Sequence, residues 1–147
     1  MSWFKKKEYM LGLITLSTFL DESDSDYKAV IAEFSNIDFR RVVITGGTFS
    51  NLDILAPCMT RLEVLMLQGS VHTSFSGLER LTRLVELDCD VVSEKPYADF
   101  SSLTGLEKCF LAWDKRYDAK DYRHGLFTLP KLKDLTDRKS TRLNSSH

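Results

Sequence analysis

Phe100-Ser-Ser-Leu103-Thr-Gly-Leu106-Glu-Lys-Cys109-Phe-Leu111 decides the fold, because the chain repeats it. The variants are Ala56-Pro-Cys-Met59-Thr-Arg-Leu62-Glu-Val-Leu65-Met-Leu67, Leu78-Glu-Arg-Leu81-Thr-Arg-Leu84-Val-Glu-Leu87-Asp-Cys89 and Leu126-Phe-Thr-Leu129-Pro-Lys-Leu132-Lys-Asp-Leu135. In chain order their starts lie 22, 22 and 26 residues apart. A fixed period in this range is the signature of stacked repeats. Leu65 and Leu67 alternate with Val64 and Met66, which predicts a short strand with leucines on one face. One such strand is too short to be stable alone. Stacked in parallel at about 4.8 Å, the strands would align their apolar residues into columns. The columns are Leu62/Leu84/Leu106/Leu132, Leu65/Leu87/Cys109/Leu135 and Leu67/Cys89/Leu111.

The pattern Leu-x-x-Leu-Thr-x-Leu-x-x-Leu-x-Leu, with Thr60, Thr82 and Thr104 in the Thr position and Pro130 in the last copy, resembles the leucine-rich repeat family. The likeness is to its 22-residue class, found in bacterial internalins and in a regulatory subunit of a eukaryotic protein phosphatase. It covers Phe39 to Leu135. It implies an α/β fold: a leucine-rich repeat solenoid, or horseshoe, with a parallel concave sheet and short 3₁₀, α or irregular convex segments. It also implies binding of a protein partner. The family places Asn three residues after the last apolar strand position. Here Ser70, Val92 and Asp114 stand there, so the Asn ladder is missing and the repeats are degenerate.

Asp137-Arg-Lys-Ser-Thr-Arg-Leu-Asn-Ser-Ser-His147 breaks the period. The run resembles a widely used sequencing adaptor read in frame, and it is set aside as a disordered scar. On that reading the natural chain continues past Thr136 and this is a fragment. The domain expected is residues 1–136: a cap and first strand in 1–26, then repeats over 27–136. Without the tail the charge goes from 20 basic against 21 acidic residues to 17 against 20, a net −3. That balance argues against a nucleic-acid footprint. An apolar content of 43% supports a packed core.

Before the repeats, Lys5-Lys6-Lys7 and Met10 to Leu20 resemble the start of a signal peptide but are too short to span a membrane. The spacing of Leu11-Gly-Leu-Ile14-Thr-Leu16 favours a first strand instead. Asp21 to Asp26 reads as an acidic loop rather than a calcium site, because Asp26 and Ala32 stand where Gly and Glu are needed. It leads into a short helix over Tyr27 to Phe34. Phe39 to Ile44 repeats the strand pattern, and Gly46-Gly47 closes it with a turn. Three-residue apolar spacings in the return segments suit 3₁₀ turns.

Three cysteines without a Cys-x-x-Cys pair give neither a disulfide framework nor a zinc site. Cys89 and Cys109 replace leucine in the columns. Reduced thiols suit a cytoplasmic location, with secretion or the cell surface as the alternative if Met1 to Leu20 is a signal. No nucleophile has a recognisable activating partner, so neither catalytic residue nor cofactor is expected. Asp88 and Asp90 share a face, which suits recognition on an open sheet better than acid–base work. The residues between the leucines form the expected partner surface: Arg41, Val43, Val64, Met66, Glu86, Asp88, Asp90, Lys108, Phe110 and Trp113, with Gln68 beside them. Apolar side chains rimmed by charge mark such surfaces. The chemistry expected is a non-enzymatic protein-binding scaffold. The alternatives are the recognition arm of a larger ligase or toxin, and a receptor repeat domain.

Overall fold

Every repeat strand forms, and the strands lie side by side in chain order. The computed structural model describes residues 6–10, 13–72, 74–89, 99–114 and 125–140. It is a mixed α/β structure: a seven-stranded sheet in the order β1-β2-β3-β5-β7-β8-β9, with one α-helix among the described residues. The strands are β1 (Lys6–Met10), β2 (Leu13–Thr18), β3 (Arg41–Ile44), β4 (Gly47–Phe49), β5 (Val64–Leu67), β6 (Ser70–His72), β7 (Glu86–Cys89), β8 (Lys108–Asp114) and β9 (Asp134–Ser140). From β2 to β9 every neighbour in the large sheet is parallel. β1 pairs antiparallel with β2.

The register follows the period. Leu65 stands beside Leu87, Leu87 beside Cys109 and Cys109 beside Leu135; Leu67 stands beside Cys89 and Cys89 beside Leu111. Val42 and Ile44 extend these columns onto β3, and Leu16 onto β2. All of these but Leu135 are buried in one apolar cluster, and Leu132 and Leu135 are only partly covered at the β9 edge. Burial of one Leu removes about 2 kcal/mol of apolar surface from water, so each column is a sum of such terms.

Backbone bonds repeat with the columns. The carbonyls of Arg40, Glu63, Val85 and Glu107 each accept two N–H groups at the start of the next strand, over 2.7–3.1 Å. This ties each repeat to the next without an Asn side chain. Three residues after Leu67, Ser70 opens β6, which pairs in parallel with β4 as a second, two-stranded ladder. Gly47 opens β4 with φ 104°, a left-handed conformation that favours glycine. A Cβ there would lie 1.9 Å from the Leu20 carbonyl oxygen. The Gly46-Gly47 turn therefore serves a close strand approach.

The other side of the core is covered by α1 (Tyr27–Asn36), through Val30 and Phe34, and by 3₁₀ turns at Leu52–Leu55, Leu78–Arg80 and Leu126–Thr128. The helix matches the sequence reading, although Asp26 makes no side-chain capping bond. β9 runs four residues past Thr136: Asp137 to Ser140 pair with Leu111 to Asp114, so the sheet continues across the expected boundary at Asp137. Trp113 lies inside β8.

Candidate functional site

The sheet has an outer face opposite the core, and alternation places two rows on it. The first is Thr15, Arg41, Val64, Glu86, Lys108 and Asp134; the second is Ser17, Val43, Met66, Asp88, Phe110 and Thr136. The register thus places Arg41, Val64, Met66, Glu86, Asp88, Lys108 and Phe110 in these two rows. Asp90 lies outside the described residues. Trp113 lies in β8, three residues after Phe110.

In the half of this face nearer the N-terminus Thr15, Val43 and Val64 are buried, while Ser17, Arg41 and Met66 are half-buried. Arg41, Val64, Val43 and Met66 form a square on neighbouring strands. The Arg41 Nη2 donates to Met66 Sδ at 3.2 Å along its diagonal. The aliphatic stem of an arginine covers apolar neighbours, and the valines at the other two corners are each only 8% exposed. Val64 and Val43, read from the sequence as exposed contact residues, are therefore covered. Thr15 is 1% exposed, and its Oγ1 lacks a hydrogen-bond partner among the described residues.

The other half is open. Glu86, Asp88, Lys108, Phe110, Asp134 and Thr136 line a shallow depression of about 130 Å³ over β7, β8 and β9. Small-molecule pockets take roughly 300–1,000 Å³, so this depression is smaller than a cofactor site. Lys108 is exposed; Glu86, Asp88 and Phe110 are half-buried. In register, Lys108 stands between Glu86 and Asp134, at about one strand spacing from each. No ion pair joins it to either among the described residues. The depression carries three carboxylates against one ammonium.

Asp134 and Thr136 were missed by the sequence reading. Their signal was present: they follow Lys108 and Phe110 by the same 26 residues that separate the last two repeats.

Several charges away from the depression are paired or capped. Asp21 accepts from the Ser23 N–H and Oγ at 2.9 and 2.7 Å, which holds its carboxyl below the usual range. Asp24 accepts from the Asp26 N–H, and Glu22 from the Ser50 N–H and Oγ. Asp21 and Asp24 thus cap their own loop, and Glu22 ties it to Ser50 after β4. Arg40 bonds both Asp38 and Glu63 at the start of β3. The three cysteines are free and buried; burial pushes the Cys58 thiol to about 11 and Cys109 to about 12. Among the described residues no group of three or more His, Cys, Asp or Glu is placed to hold a metal ion. Among them too, no helix is long and apolar enough to cross a membrane. No family model, curated protein or solved structure matches the chain.

Proposed function

We propose that this chain is a non-enzymatic, protein-binding leucine-rich repeat module that takes its partner on the concave face of a short solenoid. The observation that carries the reading is the open half of the outer face, where the half-buried Phe110 ring sits among charged side chains in a depression too small for a cofactor. One parallel strand per repeat, 3₁₀ return segments and the repeated backbone bonds between strands support the solenoid. Three reduced thiols suit a cytoplasmic setting.

The test is selection from a displayed library of protein fragments on the immobilised chain. Fragments should be enriched, and Phe110→Ala with Met66→Ala should abolish their binding. Phe127→Ala should not, because Phe127, 65% exposed, lies in the 3₁₀ turn on the other side of the core. Retention by the double variant overturns the site. Substrate turnover that Glu86→Gln or Asp88→Asn abolishes overturns the non-enzymatic reading.

A further inference from the structure

We propose that Met66 is a site of oxidation, converted by a peroxide to its sulfoxide and held in that state by Arg41. Met66 stands on β5 in the second outward row, between Val43 of β3 and Asp88 of β7. Its neighbours along the strand, Leu65 and Leu67, are fully buried, and Met66 is half-buried. A peroxide is little larger than water, so it reaches a sulfur on this face without unfolding the strand. Met59 is the internal reference, because it lies in the core at 2% exposure.

The second observation is the group already on the sulfur. Arg41 Nη2 donates to Met66 Sδ at 3.2 Å, from the neighbouring strand. A thioether is a weak acceptor. In the reaction the sulfur lone pair attacks one oxygen of hydrogen peroxide. The S–O bond forms and the O–O bond breaks; the departing hydroxide takes the proton of the transferred oxygen and leaves as water. Sulfur is oxidised by two electrons and the peroxide is reduced by two. The sulfoxide oxygen is a stronger acceptor than the thioether, and a small rotation of the long arginine side chain lets Nη2 donate a charge-assisted bond to it. A half-buried polar oxygen without a partner would destabilise the fold. Arg41 removes that cost at this one place. Oxidation turns a flexible apolar side chain into a polar one, so the row that Met66 shares with Asp88 and Phe110 loses an apolar member. The effect on a partner rests on the binding reading above; the modification itself does not.

The test treats the whole 147-residue chain with hydrogen peroxide and follows each methionine by mass spectrometry of its proteolytic peptides. Met66 should oxidise at least about tenfold faster than Met59, which reacts only when the core opens locally. Equal rates overturn the proposal. Melting midpoints of reduced and oxidised chains test Arg41. Oxidation should lower the midpoint of Arg41→Leu by about 3 °C more than that of the unsubstituted chain, the scale of one hydrogen bond at this length. Each chain is compared with its own reduced form, and any change at Met1 or Met10 is common to both. Arg41→Lys, which keeps a donor, should follow the unsubstituted chain. The same drop with and without Arg41, or a drop in Arg41→Lys as large as in Arg41→Leu, overturns the holding by Arg41. No partner is present in these measurements, so their failure leaves the binding reading standing.

Discussion

Leu111 and Phe110 are neighbours on β8 that face opposite ways, so replacing each by alanine separates the fold from the site. Leu111 is fully buried, beside Cys89 on β7. Truncating it loses transfer free energy and leaves a cavity that the rigid column cannot collapse, for a loss of about 3 kcal/mol within the usual range for Leu→Ala. Unfolding entropy is roughly 2.1 cal/mol/K per residue. Over 147 residues that makes about 0.3 kcal/mol/K, so the midpoint should fall by about 10 °C. Phe110 is half-buried on the open face. Water fills the space its ring leaves, and the loss should be about 1 kcal/mol, or about 3 °C. The assay is thermal melting of both variants by circular dichroism, with urea titration at 25 °C as a check that the transition stays cooperative. Phe110→Ala should lose fragment binding and Leu111→Ala, below its midpoint, should keep it. Equal drops in the two midpoints would refute the register, because a slip of one residue exchanges the two faces of the strand.

Two further outcomes follow from buried groups. Cys58 and Cys109 have thiols raised by desolvation to about 11 and about 12. Below the unfolded thiol pKa both states are protonated and stability is untouched; as pH rises through about 9 to 11 the unfolded chain loses protons that the folded one keeps. Each thiol should then lower stability by about 1.4 kcal/mol per pH unit. Denaturant titrations at pH 8, 9 and 10 should show this loss, and a Cys58→Ala/Cys109→Ala variant should show a shallower one. An unchanged slope would mean the thiols are solvated. Thr15→Val replaces a buried hydroxyl that lacks a partner among the described residues with a methyl group of the same shape, and should raise stability by about 1 kcal/mol. A fall in the melting midpoint would mean the hydroxyl is bonded.

The repeat was legible because its cause is local. A leucine at every second position makes a strand with one apolar face, and a 22-residue spacing puts each strand beside the previous one. Leu65, Leu87 and Cys109 could therefore be assigned to one column from spacing alone, and so could the outward places of Met66, Asp88 and Phe110. What lies over an outward residue is not local. Val64 and Met66 look alike in the sequence, yet Val64 is buried and Met66, bonded by Arg41 from the neighbouring strand, is half-buried. Nor is the approach of Gly47, at the start of the β4 and β6 ladder, to the Leu20 carbonyl local. β9 overran the expected boundary because backbone pairing with β8 does not require apolar side chains, so Asp137 sits in a strand that hydrophobic spacing ends at Leu135. Sequence by itself determined which residues face in and which face out, since alternation is a property of each strand. Only the tertiary structure decided which outward residues are open, since that depends on side chains that meet across strands far apart in the chain.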